Sequence, residues 1–89
     1  MGVLDGKVAI VTGSARGIGR ATAELLCEHG ASVLINDLDR DVAEQTAAEI
    51  AGETAVFGCD LTEVGACDRL VQTAIDAWGR LDIIVNNAG

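Results

Sequence analysis

The sequence has no tyrosine and no proline, a single lysine (Lys7), and only one tryptophan and one phenylalanine. These 89 residues therefore cannot supply chemistry that needs a phenol and an amine side by side. Basic residues are scarce as well: six Lys plus Arg against fourteen Asp plus Glu give a formal net charge of −8. Phosphate backbones are held by clustered cations. The cations here are scattered, which excludes nucleic acid as a partner and argues against binding to an anionic membrane surface. No apolar run approaches the ~18 residues of a membrane-spanning helix. Met1-Gly2-Val3-Leu4-Asp5-Gly6-Lys7 lacks the basic start and apolar stretch of a secretory signal. Gly6 also stands where a myristoylation pattern has Ser or Thr. Cys27, Cys59 and Cys67 are odd in number and have no CxxC spacing. Neither a disulfide framework nor a metal site is expected from them. They read as reduced, mostly packed thiols of a cytoplasmic protein.

What is present is a repeated change of hydrophobic period. Val8-Ala9-Ile10-Val11 is a short continuous apolar run, as in a strand buried on both faces. After a glycine-rich stretch, Ile18, Ala21, Thr22, Leu25 and Leu26 recur at helical spacing, opposite Arg20, Glu24 and Glu28, and Gly30 closes the helix. Ser32–Asn36 is a second strand, ending at Asp37. The stretch 41–51 reads as a thin-faced helix, with Asp41 and Glu44 as a capping box and Gly52 ending it. Thr54–Phe57 is a third strand. Thr62 can cap a third helix with Gly65 in its first turns and an apolar stripe of Cys67, Leu70, Val71, Ala74, Ile75 and Trp78; Gly79 closes it. Asp82–Val85 is a fourth strand. The order β-α-β-α-β-α-β predicts an α/β fold with a doubly wound parallel sheet of the Rossmann type, strand order 3-2-1-4. Residues 1–89 form one unit, with no linker or repeat.

Gly13, Gly17 and Gly19 lie between a buried strand and an amphipathic helix. Such a loop brings backbone close to a pyrophosphate, and the helix start adds unpaired N–H groups and about half a positive charge. Asp37 ends the second strand, 24 residues after Gly13. An acidic residue about 20 residues beyond the loop binds a ribose 2′-hydroxyl and repels a 2′-phosphate. That favours NAD over NADP, although the Arg16 guanidinium could pair with a phosphate. The plainer reading of Asp37 is a solvated or capping carboxylate. Asp60, after the third strand, is either an acceptor for an adenine amino group or a helix cap shared with Thr62. Asn87-Ala88-Gly89 follows the fourth strand, and ligands of open α/β sheets bind at the carboxyl ends of strands. His29 reads as a surface residue. Trp78 and Phe57 read as packing, and Lys7 as a solvated edge residue.

Thr12-Gly13-Ser14-Ala15-Arg16-Gly17-Ile18-Gly19 resembles the TGxxxGxG loop of the short-chain dehydrogenase/reductase family, and Asn86-Asn87-Ala88-Gly89 resembles its NNAG motif. Asp60-Leu61 and Asp5-Gly6-Lys7-Val8 are similar to further family segments. By this resemblance Gly13, Gly17, Ile18 and Gly19 hold a pyrophosphate and Asp37 the adenosine ribose. Asp60 and Leu61 meet adenine, while Asn87, Ala88 and Gly89 line the path to the nicotinamide ribose. Ser14, Arg16 and Leu38 are counted among the cofactor-binding residues; Thr12 and Asn86 brace the loop and strand. The resemblance implies an NAD(P)-dependent oxidoreductase, with NAD favoured, acting on a small-molecule alcohol or ketone and homo-oligomeric in its complete form. The family's catalytic Ser, Tyr and Lys lie beyond NNAG, so the chain contains no catalytic residue. It is expected to be an N-terminal cofactor-binding fragment, inactive alone, with its fourth strand an uncovered, aggregation-prone edge. The alternative is a stand-alone dinucleotide-binding module without catalysis. A nucleotide-sugar epimerase fits less well because that class favours TGxxGxxG, and a methyltransferase because that class lacks NNAG.

Overall fold

The computed structural model describes residues 2–87. Its elements are β1 (Val8–Val11), α1 (Gly17–Glu28), β2 (Ser32–Asp37), α2 (Arg40–Glu49), β3 (Thr54–Gly58), α3 (Ala66–Trp78) and β4 (Ile83–Val85). The four strands form one parallel sheet in the order β3-β2-β1-β4, as the alternation of periods predicts. β1 is the pivot: Ile10 pairs with Leu34 of β2 on one side and Ile84 of β4 on the other. The crossover from β3 to β4 passes back over β2 and β1, so strand order reverses between β1 and β4.

Because side chains alternate across a strand, the sheet feeds two cores. Ala9, Val11, Val33 and Ile35 pack with Ala23 and Cys27 of α1, Ala43 of α2 and the neighbouring Ile50. Val8, Ile10 and Leu34 pack on the opposite face with Leu70 and Ala74 of α3, joined by half-buried Phe57 and Trp78. These β1 and β2 residues are at most 3% exposed, which explains their continuous apolar runs.

The helices depart from the sequence reading in register. The sheet-facing stripe of α1 is Gly19, Ala23 and Cys27. Leu26 packs partly against that core, but Ile18 and Leu25 are 78% and 54% exposed and Ala21 is also outside. The physical reason lies at the helix start. A Cβ on Gly19 would run into the Gly13 carbonyl and Asn87 Nδ2, so Gly19 must face inward. Residues 23 and 27 follow at one-turn spacing. The cap of α2 is Asp39 rather than Asp41, because the Asp39 carboxylate accepts the N–H groups of Asp41 (3.0 Å) and Val42 (3.4 Å). The helix ends at Glu49 rather than residue 51.

Thr62 does not cap α3. It is tied back to Asp60, and the helix begins at Ala66 behind Gly65, whose left-handed φ of 79° makes it the N-cap rather than a costly residue within the first turns. The buried residues of α3 are Ala66, Leu70 and Ala74, while Cys67 and Ile75 lie at the surface. The thiols therefore divide: Cys27 is buried, Cys59 half-buried and Cys67 exposed, where mostly packed thiols were expected. Burial pushes the Cys27 thiol pKa up. His29 is exposed as expected, with its carbonyl accepting the Leu4 N–H at 2.8 Å.

Candidate functional site

The carboxyl ends of the four parallel strands share one edge of the sheet, so the segments that follow them meet there. Those of β1, β2 and β3 line a cleft of about 530 Å³. Gly13 lines it after β1, Asp37 and Leu38 at the end of β2, and Asp60 and Leu61 after β3, all five read from sequence as site residues. Asn36, Cys59 and Thr62 line it too.

The glycine loop is shaped by its backbone. Gly13 and Gly17 both have φ of +61°, in the left-handed region that L side chains rarely enter. Arg16 is the extended N-cap of α1, with no side-chain cap and no acidic residue in the first turn of that helix. Among the described residues the amides at Gly17, Ile18 and Gly19 thus have no side-chain acceptor, and they carry the positive end of the helix dipole. Both peptide groups of Gly13 are used structurally. Its N–H donates to Asn36 Oδ1 at 3.3 Å, and its carbonyl accepts from Asn87 Nδ2 at 3.2 Å. The Asn87 N–H donates to Thr12 Oγ1 at 2.9 Å, which ties the segment after β4 to the loop after β1. Thr12 and Asn86 are within hydrogen-bonding range (3.3 Å), consistent with a bracing role.

Asp37 projects into the cleft with its side chain 13% exposed, and the Arg16 guanidinium approaches its Oδ1 at 3.7 Å from a 66% exposed position. The same oxygen accepts the Asp39 N–H at 3.2 Å. An ion pair this open is worth at most about 1 kcal/mol, so Arg16 can swing away at little cost. Asp60 Oδ1 accepts the Thr62 hydroxyl at 2.7 Å and the Thr62 N–H at 2.9 Å. Those two bonds hold its carboxyl below the usual carboxylate range. The bonds settle the local geometry: the Asp60–Thr62 turn precedes α3 without capping it, and Asp60 remains on the cleft wall.

The remaining predicted positions divide. Ser14 is 0% exposed, its hydroxyl accepting the Asn36 N–H at 2.9 Å, and it does not line the cleft. Leu38 is 73% exposed at the rim. Ala88 and Gly89 lie outside the described residues. Sequence reasoning passed over Asn36 and Thr46, both 2% exposed. Thr46 donates from Oγ1 to the Ala15 carbonyl at 2.6 Å, so α2 also holds the loop. The signal for Asn36 was a polar residue ending an otherwise apolar strand. Thr46, on a thin-faced helix, gave none.

A loop with left-handed glycines at 13 and 17 leading to a helix start without a side-chain cap, a carboxylate at the end of the next strand and a cleft wall after the third suit an extended, anionic ligand. A family model described as short chain dehydrogenase matches residues 7–89. A sorbitol dehydrogenase of Cereibacter sphaeroides is 49% identical over 85 residues, which cover 96% of this chain and 33% of that protein. The solved structure of a 7α-hydroxysteroid dehydrogenase complexed with NADH and 7-oxo glycochenodeoxycholic acid superposes with a TM-score of 0.92 at 40% identity, covering 97% of this chain and 35% of that one. A metagenomic short-chain oxidoreductase in complex with NADP superposes at 0.88 with 39% identity, covering 97% and 40%. The chain spans about a third of the length of the sorbitol dehydrogenase and of two other curated relatives it matches, tropinone reductase-like proteins of Erythroxylum coca. No helix among the described residues is long and apolar enough to cross a membrane.

Proposed function

The chain belongs to the short-chain dehydrogenase family, and from that premise we propose that it is the cofactor-binding part of an oxidoreductase acting on a small alcohol or ketone. The observation that carries this reading is that Gly13, which opens the loop leading into the uncapped start of α1, and Asp37 line one cleft. In this assignment the α1 amides at Gly17, Ile18 and Gly19 hold a pyrophosphate, with both peptide groups of Gly13 fixing the loop beside them. Asp37 accepts the adenosine ribose hydroxyls, and the walls at Leu38, Asp60 and Leu61 enclose adenine. Asn87 leads toward the nicotinamide ribose, with Ala88 and Gly89 beyond it. A nicotinamide dinucleotide supplies or accepts the hydride when bound. The residues of this chain bind and orient it, and the proton-transferring tyrosine and its lysine partner belong to the remainder of the longer protein. A cytoplasmic setting, in keeping with three unpaired cysteines, and a homo-oligomeric assembly complete the proposal.

NAD is the preferred cofactor, because the Asp37 carboxylate stands where a 2′-phosphate would add a second negative charge, and like charges in contact cost several kcal/mol. Arg16 acts in the opposite sense and leaves NADP a weaker ligand rather than an excluded one. The test is oxidation of a panel of secondary alcohols by the full-length natural protein, followed by nicotinamide absorbance. Turnover with NAD supports the assignment. Binding of NAD without turnover of any alcohol or ketone would favour the stand-alone binding module.

A further inference from the structure

From the end of β2, Asn36 bridges the glycine loop and β3 with its side chain. It is 2% exposed, and all four of its polar groups are engaged. Its N–H donates to Ser14 Oγ at 2.9 Å, and its carbonyl accepts the Ser14 N–H at 2.7 Å. Its Oδ1 accepts the Gly13 N–H at 3.3 Å, and its Nδ2 donates to the Phe57 carbonyl of β3 at 2.8 Å. The two side-chain partners fix the amide orientation, since a backbone N–H can only donate and a carbonyl can only accept.

The ladder between β1 and β2 ends at the pair Val11 and Ile35. Beyond it, Ser14 takes the place of a strand residue, and Asn36 sews the glycine loop onto the end of β2. The next residue is Asp37. We propose that Asn36 is a positioning residue that sets the glycine loop at a fixed offset from Asp37, so that pyrophosphate and adenosine ribose are held as one rigid pair of subsites. The inference rests on the dinucleotide reading above.

The chemistry of replacement sharpens the claim. Alanine at this position takes the acceptor from the Gly13 N–H and one of the two donors from the Phe57 carbonyl, which keeps its ladder bond to β2, and in this part-buried setting an unmade bond costs more than a made one yields. Aspartate keeps an acceptor for Gly13 but turns a charge toward the Phe57 carbonyl. In both variants the loop loses its offset, while the adenine walls at Leu38, Asp60 and Leu61 stay in place.

The test compares two probes, ADP-ribose and adenosine, titrated into the full-length protein and its Asn36→Ala variant by NMR. Adenosine carries no phosphate, so only ADP-ribose reports the loop. The expected result is about a tenfold loss of affinity for ADP-ribose, the size of one or two lost hydrogen bonds, with adenosine affinity changed less than about twofold. Equal losses for both probes, or no loss for either, would overturn the inference. Where Asn36→Ala does not fold, Gly13 amide exchange in the unaltered protein decides: slow exchange supports the clasp, and exchange as fast as an open loop refutes it. Failure of the unaltered protein to bind ADP-ribose would sink the dinucleotide reading itself, and this inference with it.

Discussion

Asp37 and Arg16 face each other across 3.7 Å at the mouth of the cleft, and their charges pull cofactor choice in opposite directions. Replacing Asp37 by Ser removes the repulsion of a 2′-phosphate and leaves Arg16 unopposed. The ratio of NAD to NADP affinity should then fall by about tenfold or more, equivalent to about 1.4 kcal/mol. Calorimetry on the Asp37→Ser variant checks this, and an unchanged ratio would remove Asp37 as the discriminator. Gly19 makes a second residue-scale prediction. Its Cβ would collide with the Gly13 carbonyl and Asn87 Nδ2, so Gly19→Ala should cost about 1–3 kcal/mol of stability and weaken dinucleotide binding. A thermal melt paired with a titration reads both effects. At this scale the sequence announced groups that face the ligand and was silent on groups that hold the loop. Gly13, Asp37 and Asp60 stand out by type and by place after a strand. Asn36 and Thr46 act through partners 22 and 31 residues away, and no local pattern marks such pairs.

Elements were legible where their boundaries depended on the chain's own neighbours and misplaced where a competing local bond existed. Three acidic residues, Asp37, Asp39 and Asp41, could each have capped α2. The middle one does, because its carboxylate reaches two free amides. Asp39→Ala should therefore cost about 1 kcal/mol, lowering the melting temperature by about 4–8 °C in a domain of this size, while Asp41→Ala should do less. Thr62 was equally plausible as a cap for α3, but the Asp60 carboxylate claims both its hydroxyl and its amide. The face of α1 was misjudged for a different reason. Counting apolar residues favours Ile18 and Leu25, whereas the approach of the helix to the glycine loop requires the smallest residues inward. Close packing at a site outweighed hydrophobicity there.

In the whole molecule, β4 is an edge held to β1 by three residue pairs and by the Asp82 carboxylate. Asp82 Oδ2 accepts the Val8 N–H at 2.9 Å, and its two oxygens receive the Arg80 guanidinium at 2.7 and 2.9 Å. The Arg80 bond, followed by the Val8 amide, lowers the carboxyl pKa. A pKa lowered by folding contributes stability that is complete above the unfolded value and is lost as pH falls through the folded one. Loosening of β4 should thus set in below about pH 4 and be insensitive to pH above it. Amide exchange at Ile83–Val85 measured against pH checks this, and Asp82→Asn should flatten the profile.

Ile84 is 56% exposed on that edge, a surface on which chains can pair. The 89-residue polypeptide should self-associate, and Ile84→Lys should shift it toward monomer in sedimentation. The topology itself was readable because a β-α alternation with right-handed crossovers leaves few arrangements, and that topology sets the glycine loop and Asp37 side by side at the carboxyl ends of the neighbouring strands β1 and β2. The most direct measurement is calorimetric titration of the full-length protein with NAD and NADP. The expected result is one site per chain, with NAD tighter than NADP by at least about tenfold, or about 1.4 kcal/mol. Absence of binding by either, or tighter binding of NADP, would contradict the assignment of this cleft.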